Sequence, residues 1–597
     1  MRLRTLLACL ALLAAFTAPM GVAAGQVAEQ KPLRVAINGF ENNLTPFSAT
    51  FGAFPNTHDL ISLVYDSLFW SQVREDPEPW LAERAEPNAD LTEWTVTLRD
   101  GVTWHDGKPL TAEDVKFSFE YYQEQAGASG RYAHHVFDVP PLRAASVVDP
   151  RTIRLSYEAP APAFRIMPGA DLPILPKHVW EGVTDPRTAS TGPPVGSGPY
   201  KLVQIVPDQL YRFEANPAYF KGRPTVDVLE LPIVRDPSAA FAALRTGEVG
   251  SVASAVPPEL VDQFSRNADI RIAKSTKFES TQIFFNARKA PLDDARLRKA
   301  IAMGVDRKAL VDTVLLGHGR PGLPTFLHPD SPWAVAEERP DHNPAAARTL
   351  LDQAGYTPGP DGVRRAPGGN PLEFTLLVSS FAPPDIRAGQ LISQQLAPLG
   401  VRLRVEALDP ATLRQRRQVE PGKVPGYDAY VSTLEAHTHV DPDGLYYFFH
   451  SPGNKGFGAG ISGYTNRRFD ALAESAATAA PEERRRLLRD MQELLAAEAP
   501  AVVLWYRDGD WAYRPSAYDG WVEDSGQGIF TKRSFLAQYA DQARGTRPAG
   551  AAAPASAERN TQDGGVGSPL LWVAAVAAAA LAAVVLARRR TTADEDD

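Results

Sequence analysis

The chain has 597 residues, too many for one ordinary domain, and its 44% hydrophobic and 22% charged residues fit a globular protein. A formal charge of −9 is mild at this length and leaves no basic footprint, which argues against nucleic acid as a partner. The one cysteine, Cys9, lies in the first hydrophobic run, so a mature chain without that run has neither disulfides nor cysteine catalysis.

Residues 1–24 read as a secretory signal: Arg2 and Arg4, an apolar run from Leu6 to Phe16, and small residues ending in Val22-Ala23-Ala24. A lipoprotein reading of Leu6-Leu7-Ala8-Cys9 leaves an apolar run far short of the roughly 7–15 residues such a signal needs. The body runs from about residue 33 to 539, and residues 33–37 open it as a short strand. Trp94, Val96 and Leu98 alternate with Thr95 and Thr97, the period of a half-buried strand. Asp106-Gly107 is a turn dipeptide, and Thr111 caps the next helix with Asp114 in the capping-box position. Val115, Phe119 and Tyr122 share one face of that helix.

Residues 200–215 and 226–234 read as strands, with Gly196-Ser197-Gly198-Pro199 breaking the chain before them. A helical turn or two over 241–244 ends near Gly247. Asp294 and Asp306 cap two helices, the second with Leu310, Val311 and Val314 on its apolar face and Gly317 as its stop. Asn343-Pro344 starts a third, ending at Gly355. Strands over 374–378 and 401–405 flank the helix carrying Leu391 and Leu396, an order that indicates an α/β lobe. A charged amphipathic helix covers 481–499, and a late strand covers 502–506. Residues 541–568 have the Ala, Gly, Pro and Ser composition of a flexible linker. Residues 570–587 carry no charge and are followed by Arg588-Arg589-Arg590. About 18 helical residues span roughly 27 Å, enough to cross a bilayer core at the short limit. This segment is expected to be a transmembrane helix with 588–597 as a cytoplasmic tail. The alternative is an alanine-rich helix packed on soluble protein.

Five blocks of the body carry a family resemblance: WTVTLRDGVTWHDGKPLTAEDVKFSFE, VGSGPYKLV, NPAYFKGRPTVDVLEL, FFNARKAPLDDARLRKAIAMGVDRKAL and YDAYVSTLEAHTHVDPDGLYYFF, followed by the strand AVVLWY. In wording and order the chain resembles the family 5 extracellular solute-binding proteins, the peptide and nickel binders of bacterial ABC importers. The resemblance implies an α/β fold with mixed sheets, two lobes and three domains, of the type II, cluster C periplasmic-binding-protein kind. Domain I would be discontinuous (33–62, 193–278 and 498–540), domain II inserted (63–192), and domain III would cover 279–497. Ligand would bind between lobes that close by hinge motion. The same resemblance implies an extracytoplasmic monomer that is not an enzyme and needs no cofactor. It would deliver a small-molecule or peptide ligand to ABC permease and ATPase subunits. The anchor to the membrane is expected from the uncharged segment 570–587, not from the resemblance.

In this family the loop after the strand at 427–434 faces the cleft; here it reads Glu435-Ala436-His437-Thr438-His439-Val440-Asp441-Pro442. Peptide binders usually carry an aspartate four residues before that proline, as counter-ion for the peptide's free amine; this chain has Thr438. Glu435 or Asp441 could substitute. Blocked or modified peptides, sugars and metal chelates are then alternative solutes. Phe40, Phe47, Phe51, Trp505, Tyr506 and Trp511 offer rings for stacking, although ordinary core packing is the favoured reading for any one of them. Phe285 and Asn286 lie where a hinge strand crosses between lobes, or simply within a sheet strand. His437-x-His439-x-Asp441 is half of a metal-binding set, but Pro442 stands where a further histidine would continue it. A hydrogen-bonding pocket loop is the favoured reading of these residues. An exported metal-dependent hydrolase built on 437–441 and a membrane-tethered solute sensor are the competing functions. The chain has no G-x-S-x-G, H-E-x-x-H or phosphate-loop motif, so any ATP hydrolysis belongs to a partner.

Overall fold

The computed structural model describes residues 31–39, 44–47, 57–70, 77–129, 140–186, 192–275, 278–335, 342–417, 426–434, 443–451, 463–524 and 528–545. Among them the strands form a seven-stranded, a six-stranded and a four-stranded sheet, with two small two-stranded ribbons. The signal segment, the linker and residues 570–587 lie outside the described residues.

In the seven-stranded sheet, Leu33–Ala36 lies between Val228–Pro232 and Ser251–Val252, parallel to both. Tyr200–Val206 and Leu210–Ala215 extend one side as a hairpin, so the single run read from the sequence turns back at Asp208, whose φ is 58°. Arg271–Lys274 and Asp510–Tyr513 complete the other side. Leu202, Tyr211, Phe213, Leu229 and Leu231 share a core with Val35, Trp511 and Phe535.

The four-stranded sheet is antiparallel, in the order Ala82–Pro87, Glu93–Leu98, Thr152–Tyr157, Leu142–Asp149. Trp94, Val96 and Leu98 are buried and the threonines between them less so, as their alternation requires. Val115, Phe119 and Tyr122 of helix Ala112–Ser129 close the same core. Asp114 Oδ2 accepts from Thr111 N at 2.9 Å, the return half of a capping box. Its Oδ1 accepts from Lys177 N at 3.0 Å and ties the helix to the chain that follows the sheet.

The six-stranded sheet runs Gly319–Pro321, Ala501–Arg507, Ser280–Phe285, Ala429–Leu434, Glu373–Ser379, Arg402–Leu408. Helix Pro383–Leu396 is the crossover between the last two strands, which are parallel. Asp294, Asp306 and Asn343 cap helices through their side chains, accepting from Arg296 N, Ala309 N and Ala346 N at 2.9 Å each. Ser280–Phe285 is buried along its whole length: Ile283 and Phe285 enter one core and Phe284 the other. Residues 498–540 were expected in the first lobe. Ala501–Arg507 instead pairs with Ser280–Phe285, and the seven-stranded sheet resumes only at Asp510. Val502 and Leu504 enter one core and Val503 and Tyr506 the other, and a strand covered on both faces belongs inside a sheet.

Candidate functional site

Two stretches of chain cross between the seven-stranded and six-stranded sheets: one joins Lys274 to Ser280, the other Arg507 to Asp510. They touch. Ser275 N donates to Gly509 O at 2.8 Å. A Cβ on residue 509 would stand 1.7 Å from Ser275 O, so glycine is what lets the two backbones approach. Two short, adjacent connections are the geometry of a hinge.

Register places the loops around this hinge. Ser280 opposes Leu434 on one side and Tyr506 on the other, and Gly319 opposes Arg507. Glu373–Ser379 runs parallel to Ala429–Leu434. The chain therefore leaves Ser379 and Leu434 from the end of the sheet where both crossovers arrive. In the other sheet Lys274 opposes Asp510, and Leu33–Ala36 and Ser251–Val252 end toward that same side. Open α/β sheets bind ligands outside the carboxyl ends of their strands, and here those ends meet at the hinge.

Charged and polar groups gather there. His318 Nδ1 lies 3.3 Å from Asp510 Oδ2, and Asp508 N donates to His318 O at 3.4 Å. Arg507 Nη2 donates to Val256 O at 3.2 Å and so reaches from the six-stranded sheet to the chain that follows Ser251–Val252. Burial, reinforced by Asp510, raises the Asp508 carboxyl above its ordinary value. Burial also pushes Asp385, in the first turn of Pro383–Leu396, up to about 7; Glu279 adds to the rise and Arg507 opposes it. Asn38 Oδ1 and Asp510 Oδ1 are buried with no hydrogen-bond partner among the described residues. Behind the first crossover, Phe278 stacks on the His328 ring at 4.3 Å. Burial, helped by Arg320, lowers His328 to about 3, so it is neutral at physiological pH. These are groups that accept hydrogen bonds or hold a cation. Among the described residues, no group of three or more His, Cys, Asp or Glu side chains is placed to hold a metal ion.

The residues singled out by sequence fall into two sets. Phe47 is packed in the core of the four-stranded sheet, stacked on Tyr122 at 5.0 Å and against Trp180 at 5.2 Å. Phe285 and Trp505 are buried in one core of the six-stranded sheet. Asn286 is fully buried, and its Nδ2 donates to Tyr427 O at 2.9 Å, fixing the end of the strand. Phe40, Phe51, Glu435, His437, Thr438, His439 and Asp441 lie outside the described residues. The described strands that precede two of these stretches, Leu33–Ala36 and Ala429–Leu434, both end on the hinge side of their sheets. Sequence reasoning passed over Asn38, Glu279, His318, Asp385, Arg507, Asp508 and Asp510. The strand-to-strand break at Asp508-Gly509 was the one signal that could have marked the second crossover.

The model of the bacterial extracellular solute-binding proteins, family 5, middle region, matches residues 76–456. Protein XP55 of Streptomyces lividans is 29% identical over 418 residues, covering 69% of this chain and 73% of that protein. The glutathione-binding protein GsiB of Salmonella typhimurium is 26% identical over 504 residues, covering 82% and 92%. Among solved structures, NikZ from Campylobacter jejuni in complex with Ni(L-His) superposes with a TM-score of 0.72 at 22% identity, covering 85% of this chain and 99% of NikZ.

Proposed function

The chain belongs to the bacterial extracellular solute-binding proteins of family 5, and from that premise we propose that it captures a peptide or peptide-like solute between two lobes and hands it to the permease of an ABC importer. Its fold is that of the type II periplasmic binding proteins. The observation that carries the reading is the hinge: two sheets joined by two touching crossovers, with loop-bearing strand ends on both sides of it. Such an arrangement closes on cargo and opens again without breaking a bond in it. Relatives that bind glutathione or a nickel–histidine complex support a small, polar, amino-acid-derived solute. Phe40, Phe51 and the 435–441 loop are the residues we assign to the ligand, with Glu279, Asp385, Asp508 and Asp510 as acceptors near the hinge.

Thermal unfolding of the purified full chain tests this. A panel of blocked and free peptides, glutathione, sugars and nickel–histidine should contain at least one compound that raises Tm by several degrees at millimolar concentration, because ligand bound only to the folded state stabilises it. A panel that leaves Tm unmoved counts against the reading.

Working outside the cytoplasm follows from the family; we further propose that residues 570–587 anchor the body to the cell membrane. Among the described residues no helix is long and apolar enough to cross a membrane, so an anchor would have to come from elsewhere in the chain. Ending the chain at Gly564 should move the protein from the membrane fraction to the soluble fraction. A truncated protein that stays with the membrane removes this segment as the anchor.

A further inference from the structure

Asp66 is completely buried, and three distant parts of the chain converge on it. Its Oδ1 accepts from Trp80 Nε1 at 2.7 Å, from Tyr219 OH at 3.0 Å and from Lys532 Nζ at 2.6 Å; its Oδ2 accepts from Ser197 Oγ at 3.0 Å. Lys532 is as hidden as its partner, and its ammonium stands 4.8 Å from the Trp70 ring centre and 4.5 Å from that of Trp80. A second group repeats the pattern next door. Lys221 Nζ lies 4.0 Å over the Trp80 ring and donates to Glu78 Oε1 and Tyr539 OH at 3.1 Å each. Tyr539 OH donates in turn to Glu78.

Lys532 and Tyr539 come from the last described stretch, the 3₁₀ turn Lys532–Phe535 and helix Ala537–Gly545. This stretch has two working faces. Phe535 points into the core of the seven-stranded sheet, edge-on to Tyr200 at 5.5 Å, and its carbonyl accepts from Thr225 N at 2.8 Å. Leu536 and Tyr539 point the other way, into a cluster with Trp70, Trp80 and Tyr219. Trp80 is fastened to the four-stranded sheet: its carbonyl accepts from Arg99 Nε at 2.5 Å, and Ala82 begins the first strand. Burial lowers the Lys532 ammonium below its ordinary value, and the Asp66 carboxylate in contact with it works the other way.

We propose that residues 528–545 are a strap that fastens the inserted four-stranded sheet to the seven-stranded sheet, with Lys532 on Asp66 as its buckle, so that both sheets travel as one body when the chain bends at the two crossovers. A buried ion pair suits that task. Losing one partner strands the other charge in a place without water, whereas replacing both by neutral groups of similar size leaves the packing intact.

Spin labels test the strap in the ligand-free full chain. Val148 in the four-stranded sheet and Val203 in the seven-stranded sheet are both exposed, at 55% and 47%. With Cys9→Ser, Val148→Cys and Val203→Cys, double electron–electron resonance should give one narrow distance. Adding Lys532→Met should at least double its width, and Asp66→Asn combined with Lys532→Met should narrow it again. An unchanged width in K532M, or a broad distribution without it, overturns the proposal. Should K532M not fold, Tyr539→Phe replaces it: broadening sustains the strap and an unchanged width overturns it.

Discussion

Replacing Gly509 by alanine is expected to lower stability by about 2–4 kcal/mol, an overpacking term plus one lost backbone hydrogen bond. The new methyl would stand 1.7 Å from the Ser275 carbonyl oxygen, which is backbone and has no side-chain rotamer through which to yield. The two crossovers must separate, and Ser275 N then loses Gly509 O. Because this happens where the chain itself crosses between the two large sheets, the effect should reach function too: Tm falls by roughly 5 °C, and any solute that stabilises the parent protein stabilises the variant less. Calorimetric unfolding with and without that solute checks both statements. A variant within about a degree of the parent, with full ligand response, would show that the close approach is dispensable.

Changing Thr438 to aspartate should raise affinity for unblocked tripeptides by about 10–100-fold, the worth of one charge-assisted hydrogen bond. The motive is a single position: Thr438, in the loop we assign to the ligand, is a neutral hydroxyl where peptide-binding relatives are expected to meet a free ammonium with a carboxylate. An ammonium taken out of water without a partner charge loses several kcal/mol. The parent protein should accordingly bind free-amine tripeptides weakly. Titration calorimetry that finds submicromolar binding by the parent, or no gain from the aspartate, assigns the amine to another group; Glu279 and Asp385 would be the next to replace.

Much of the local structure was legible because local causes produce it. The strand at 93–98 follows from alternation, the helix after it from Thr111 and Asp114, and the starts at 295, 307 and 344 from Asp294, Asp306 and Asn343, each seen capping. Long-range placement was not legible. The strand at 501–507 reads the same whichever sheet it joins, and only pairing with Ser280–Phe285 settles the matter. Aromatic rings are equally ambiguous: Phe47, Phe285 and Trp505 have the composition of a stacking site and the surroundings of a core. Asp66 and Lys532 are 466 positions apart, and neither sits in a pattern that marks it as more than a surface charge.

The path of the chain also sets a timetable. Residues 280–507 supply every strand of the six-stranded sheet without interruption, so that half can form as soon as it emerges. The other half cannot finish. Arg271–Lys274 hydrogen-bonds only to Asp510–Tyr513 within its sheet, and that partner is among the last residues of the body to be made. Until then an incomplete sheet with an open edge must wait, in the kind of state that sticks to other chains. A chain made from its N-terminus therefore leaves residues 33–274 unfinished longest, and a factor that shields the incomplete body has more to cover there than in the half that follows.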